Sequence, residues 1–464
     1  MKYKQFYASL EKAAEKLKSF DKNKTIRLIS HLDADGISAC AILIYLLTQE
    51  NRKYSISIVQ QLDREKLLEL SKEPYSYFVF SDLGSGQIKN INELFKDRQL
   101  IILDHHEPEK IDSLSPNITH INPHLFSIDG SKEISGAGVV YLFAKTIDKK
   151  YEDLAHIAII GAMGDMQEDN GFLNLNSQIL ETAVKKGKLK VKKGLRMFGM
   201  QTKPLHKVLE YSTDPYIPGV SGSESGAIQF LHQIGIDPKN GNSWKKIIHL
   251  NDEEMQKLVA GIVMKRLNET KPEDVLGNIY ILPEEKKESP TRDAKEFATL
   301  LNACGRMEKA SFGMGACLGI EKDRQKAFQT LLNYKKEIVN AINWFNENKD
   351  NMIKGKGFII INAQDNINPN IIGTLASIIS KSNDVEENTY ILSLARTQNK
   401  ATKVSLRASS QNNKDIDLRE ILKKIIEKTG GEAGGHQSAS GALIATEKEQ
   451  EFIEVAKDVL AEKE

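Results

Sequence analysis

Cysteine is scarce in this chain. Cys40, Cys304 and Cys317 are the only three, each in an apolar or glycine-rich context and none at metal-site spacing from another. That excludes a disulfide framework and a cysteine-based metal site, and fits a reducing, cytosolic setting. Long apolar runs are also missing: none reaches the roughly 18 residues of a membrane-spanning helix, so no membrane association is expected. The opening Met1-Lys2-Tyr3-Lys4-Gln5-Phe6-Tyr7 leads into a Lys/Glu-rich amphipathic stretch rather than a signal-peptide core. Nor is there an excess of charge of either sign: 64 Lys plus Arg against 63 Asp plus Glu leave no global field for a polyanion, so any such attraction must be local. At 464 residues with 40% hydrophobic content, two or three domains with substantial cores are expected.

The chain does hold a recurring pattern: an apolar segment that breaks off into acidic or histidine residues. Gln99 to Leu103 runs into Asp104-His105-His106, Ile26 to Ser30 into His31, Asp33, Asp35 and Gly36, and Tyr77 to Ser81 into Asp82. Ile157 to Gly164 runs into Asp165. Each reads as a buried strand with polar groups at its carboxyl end, the edge where open α/β sheets bind ligands. Further strands fit 54–60 and 117–122, with helices over 2–19, 37–49, 64–71 and 135–147. Near-continuous apolar strands alternating with helices argue a doubly wound parallel sheet. The helix start Ser135-Gly136-Ala137-Gly138 suits phosphate contact or close packing.

Residues 185–196 form the densest basic run, either a solvated linker or a phosphate track. A loop over 215–223 and helices through 234 and over 252–268 follow, then a long helix from about 322 to 349. A second α/β pattern has strands near 358–362, 389–394 and 402–407 and helices near 369–380, 418–428 and 448–461. Five glycines around His436 between 430 and 441 are expected to form a loop with exposed amides.

His31, Asp33, Asp35, Asp82, His105 and Asp165 make a hard, mixed N/O set of four carboxylates and two imidazoles, suited to two Mn²⁺ ions, or Mg²⁺, rather than structural zinc. Asp82 is the candidate bridge between the two ions.

The four segments in this order, with the Asp104-His105-His106 triplet, resemble the DHH phosphoesterase superfamily. Gly430 to Gly441 is similar to the Gly-Gly-Gly-His loop of the DHH-associated domain, with Ala433 replacing one glycine. Asn302-Ala303-Cys304-Gly305-Arg306 resembles a segment of RecJ-type exonucleases. The resemblance implies that the acidic set holds the metal pair, with His106 facing the phosphate and Asp104 supporting it. It further implies that Asn302, Arg306, Ser405, Arg407, Gly434, Gly435 and His436 contact nucleic acid. A DHH domain over 1–193, a middle insertion over 194–322, a connecting helix over 323–354 and a DHH-associated domain over 355–464 follow.

The arrangement looks like the archaeal RecJ-like nucleases, the GINS-associated type related to Cdc45. The function so implied is a Mn²⁺-dependent exonuclease for single-stranded DNA or RNA in replication and repair, with GINS and the replicative helicase as partners. A nano-RNA or cyclic-dinucleotide phosphodiesterase and a Cdc45-like scaffold are the alternatives.

Overall fold

Five apolar strands form the first sheet: β1 (Ile26–His31), β2 (Tyr54–Val59), β3 (Tyr77–Ser81), β4 (Gln99–Leu103) and β5 (Ile118–Ile121). They are parallel throughout, in the order β2-β1-β3-β4-β5. The computed structural model of the chain describes residues 2–212, 215–269, 271–382, 385–409 and 417–461. Helices α1 (Lys2–Ser19), α2 (Ala34–Gln49), α3 (Arg64–Ser71), α4 (Ile88–Leu94) and α5 (Gly136–Ile147) accompany the sheet. The strand order reverses between β1 and β3, which places the ligand crevice at the carboxyl ends of those two strands.

The apolar run before Asp165 is not a strand. It is helix α6 (Ala155–Gly164), buried against α2 and α5. An apolar run of that length has no face to distinguish helix from strand, and its small residues decide the outcome. A β-carbon at Gly161 would lie 2.3 Å from Asp35 Oδ1, and one at Gly164 2.6 Å from Ala34 Cβ, so these glycines admit α2 at close range.

After α7 (Asn174–Lys185), the basic run is strand rather than linker: β6 (Lys190–Leu195). The middle region continues with α8 (Leu205–Glu210), α9 (Glu224–Gln233), a small hairpin of β7 (Lys239–Asn240) and β8 (Ser243–Trp244), α10 (Asp252–Lys265) and β9 (Leu276–Ile281). β9 pairs antiparallel with β6. This region has its own apolar core, including Leu205, Leu209, Phe230, Leu231, Leu258 and Ile262. Helices α11 (Ala294–Arg306) and α12 (Ala310–Cys317) return to pack on α2.

The long helix α13 (Glu321–Glu347) contains the boundary between two compact units, Met1–Thr330 and Leu331–Glu464. The second unit is built on β10 (Ile353–Gly355), β11 (Phe358–Asn362), β12 (Tyr390–Arg396), β13 (Ala401–Ala408), β14 (Glu432–His436) and β15 (Ala439–Ala445), with α14 (Pro369–Ile379), α15 (Leu418–Thr429) and α16 (Glu449–Ala461). The sheet is mixed, in the order β10-β11-β12-β13-β15-β14. The glycine-rich stretch expected as a loop is therefore mostly a hairpin, with Gly434 opposite Gly441 and Gly435 opposite Ser440. Glycine survives in this strand because β14 lies at the sheet edge and Gly435 adopts φ +126°, where a β-carbon would meet the Ala439 carbonyl. Among the described residues no helix is long and apolar enough to cross a membrane.

Candidate metal centre

The carboxyl end of the first sheet gathers all six proposed ligands. His31 ends β1, and Asp33 caps α2 by accepting the Gly36 amide at 2.9 Å. Asp35 enters the first turn of α2, and Asp82 follows β3 in left-handed backbone with φ 57°. His105 follows β4, and Asp165 caps the C-terminus of α6.

Two ligand sets result, His31 with Asp33 and Asp82, and Asp35 with His105 and Asp165, within each of which donor atoms converge within 4.8 Å. Asp82 Oδ1 lies 3.3 Å from His105 Nε2 and joins the two sets. His105 Nε2 is also 3.2 Å from Asp165, and His31 Nδ1 is 2.9 Å from Asp33 and 3.7 Å from Asp82. Asp82 and His105 further form a third such group with His106.

Asp35, Asp82 and His105 are 0, 1 and 4% exposed, so water does not screen their charges. No lysine or arginine among the described residues pairs with the four carboxylates. Burial, then Asp82 and Asp165, push the Asp35 pKa well above the carboxylate range. Burial disfavours a proton on His105, yet Asp165 and Asp82 outweigh it and raise its pKa well above the usual value. His31 is raised likewise against burial by Asp33 and Asp82. The cluster thus draws positive charge to itself.

Both Asp82 oxygens and His105 Nε2 are buried without a hydrogen-bond partner among the described residues. Such orphaned acceptors are costly unless a cation completes them. The donor set therefore fits a pair of hard divalent ions, with no sulfur ligand and an imidazole lone pair in position.

Supporting contacts fix these groups. His105 Nδ1 donates to the Gly130 carbonyl at 2.7 Å, which directs Nε2 to the carboxylates. Gln167 Nε2 donates to the same carbonyl at 2.9 Å, and Asn176 Nδ2 donates to Gln167 Oε1 at 2.7 Å. The Asp35 carboxylate accepts the Gly136 and Ala137 amides at 2.6 and 3.1 Å, so the glycine-rich helix start packs closely against a candidate ligand. Asp104 accepts the Ser85, His105 and His106 amides and His106 Nδ1–H at 2.8 Å. Burial opposes ionisation of Asp104, but His106 overcomes it and holds its pKa low. Asn122 donates to the His106 carbonyl at 2.7 Å. Gln167, Asn176, Ser85, Asn122 and Gly130 carry no sequence signal that would have singled them out.

Asn302 Oδ1 accepts the Ala34 amide at 2.9 Å, so its carboxamide holds the acidic loop at the head of α2. Arg306 ends the same helix, half-buried.

In the second unit, Ser405 and Gly434 both lie opposite Gly441, on its two sides. Arg407 donates to Ser377 Oγ at 2.9 Å and to the Ser440 carbonyl at 3.2 Å. Gly373 of α14 admits the Ser405 hydroxyl, which lies 3.0 Å from where its β-carbon would be. Gly435 follows at the edge, and the side chain of His436 lies outside the described residues.

Three family models match in chain order: the N-terminal domain of the DHH family over residues 25–163, the DHH-CID domain over 197–279 and the DHHA1 domain over 355–462. The chain belongs to the DHH superfamily. Among particular relatives, the uncharacterized protein MJ0831 of Methanocaldococcus jannaschii is 33% identical over 448 residues, covering 94% of this chain and 93% of that protein. The fold is similar to CDC45 from Entamoeba histolytica, with TM-score 0.67, 13% identity and coverage of 98% and 99% of the two chains. It is also similar to RecJ in complex with Mn²⁺ from Thermus thermophilus, with TM-score 0.60 and 15% identity. That match covers 98% of this chain and 55% of the other, so the present chain spans about half of that RecJ.

Proposed function

We propose that the protein is a divalent-metal-dependent phosphodiesterase that shortens single-stranded DNA or RNA from one end. The observation that carries this reading is the pair of buried candidate ligand sets joined through Asp82 and His105, with buried acceptors that a cation would complete. In their places, His31, Asp33 and Asp82 would hold one ion, and Asp35, His105 and Asp165 the other, with Asp82 shared. When bound, such a pair, Mn²⁺ or Mg²⁺, polarises a phosphoryl oxygen and lowers the pKa of water for in-line attack.

The remaining residues bind and orient. Asp104 holds His106 by Nδ1, which leaves Nε2 to face a phosphoryl oxygen. Gly130 and Gln167 hold His105 in the tautomer a ligand needs. Arg306 and, in the second unit, Ser405, Arg407, Gly434, Gly435 and His436 would contact the strand backbone. The setting is the cytosol, in replication or repair, with GINS and the replicative helicase as proposed partners of the middle region.

A scaffold role is the second reading, favoured by the likeness to CDC45 over nearly its whole length. Its weakness is the intact ligand set. The test is hydrolysis of strands labelled at either end, beside a dinucleotide, with Mn²⁺ added. Stepwise shortening from one end supports the exonuclease. Cleavage of the dinucleotide alone moves the assignment to small substrates, and no cleavage at all favours the scaffold.

A further inference from the structure

We propose that the β6–β9 ribbon is an anion track, over which the phosphate backbone of a nucleic-acid strand runs beside the acidic centre. The inference rests on the phosphodiesterase reading and adds to it a substrate-binding surface.

β6 reads Lys190-Val191-Lys192-Lys193-Gly194-Leu195, and its partner β9 reads Leu276-Gly277-Asn278-Ile279-Tyr280-Ile281. Lys190 stands opposite Ile281 and Leu195 opposite Leu276. The two strands therefore hold three lysines and no carboxylate. Lys190, Lys192 and Lys193 are all exposed. None of the three side chains makes an ion pair or hydrogen bond with the described residues.

Neighbouring lysines are treated differently. Lys186 pairs with Asp153 at 3.1 Å, and Lys188 with Glu284 at 2.9 Å. Neutralisation thus stops where the strand begins. Unpaired like charges on one rigid strand repel one another, which a partner of repeated negative charge would relieve. Lys190 and Lys192 share a face at about 6.6 Å along the strand. Alternate lysines at that pitch, without a cavity or an acceptor among them, suit successive phosphates of an extended strand rather than one small anion.

The ribbon is moored to the segment that leaves the centre. Tyr280 Oη donates to Glu168 Oε1 at 3.1 Å, three residues beyond Asp165. The Tyr280 ring packs 5.2 Å from that of Phe172, and the Asn278 amide lies beside Gly171. Tyr280 and Asn278 stand opposite Val191 and Lys193, so the mooring holds that face of the ribbon against the segment that follows Asp165 and leaves Lys190 and Lys192 together on the other face.

The test uses the full chain with Lys190, Lys192 and Lys193 all changed to Ala, and a second variant with all three changed to Arg. Binding of a labelled single-stranded oligonucleotide is followed by fluorescence anisotropy against KCl concentration, with divalent ions chelated so that hydrolysis is silent. The alanine variant is expected to bind several-fold more weakly at low salt, with a log K against log salt slope shallower by about 1.4, since Lys190 and Lys192 meet two phosphates on their shared face and each lost phosphate contact removes about 0.7. The arginine variant is expected to restore both. An unchanged slope in the alanine variant overturns the track, and would leave the lysines for an acidic protein partner. Weaker binding that arginine fails to restore also overturns it. Failure of the catalytic reading is distinguishable, because it removes hydrolysis and leaves this metal-free binding as it is.

Discussion

Gly305 of α11 lies against the carbonyl of Leu32, so close that a β-carbon on it would sit 1.6 Å from that oxygen. Three residues earlier on the same helix, Asn302 accepts the Ala34 amide. One helix therefore clamps the loop between His31 and Asp35 from a position some 270 residues away in sequence. Gly305→Ala is expected to force helix and loop apart at the cost of overpacking, about 1–3 kcal/mol. Mn²⁺ titration and thermal melting of the variant should show weaker ion binding and a lower Tm together.

Asn302→Ala removes the hydrogen bond without adding bulk, and is expected to cost about 1 kcal/mol. Metal affinity should fall while binding of single strands in chelator stays near wild type. Loss of strand binding with unchanged metal affinity would instead assign Asn302 to nucleic-acid contact.

Gln167→Met keeps side-chain length and removes the donor to the Gly130 carbonyl, which also orients His105. Partners of this kind typically change metal affinity by about 10- to 100-fold. Calorimetric Mn²⁺ titration should show a loss of that order, with the far-UV circular dichroism spectrum unchanged.

Asp293 caps α11 through the Lys295 and Glu296 amides, yet burial, then the neighbouring Glu296, push its pKa up to about 7. The folded state thus holds a proton that the unfolded chain releases near pH 4. Between those values the folded protein binds more protons, so this group's stabilisation is fully present below about pH 4 and is lost as pH rises to about 7. Asp293→Asn keeps the cap and removes the titration. Thermal melts across pH should show the variant gaining stability over wild type as pH rises through that window, with the difference level above it.

Much of the candidate site was legible because its proposed ligands sit where apolar strands end, a pattern that β1, β3 and β4 follow. Asp165 was found for a partly mistaken reason, since α6 is a helix; the small residues Gly161 and Gly164 were the available hint. The hydrogen bonds around the site were not legible. Gln167 reaches Gly130 and Asn302 reaches Ala34 only through tertiary apposition, which neither periodicity nor motif records. The glycines near His436 were read as loop because glycine is unfavourable in strand interiors, a rule that an edge hairpin escapes.

The most direct measurement is equilibrium Mn²⁺ binding to wild type and Asp82→Asn, with Tm recorded with and without the ion. The account predicts two ions per wild-type chain and loss of the ion-dependent Tm rise in the variant. Its metal-free Tm should be higher than wild type, because one buried uncompensated charge is gone. A wild-type chain that binds no ion, or a variant that binds two as tightly as wild type, would contradict it.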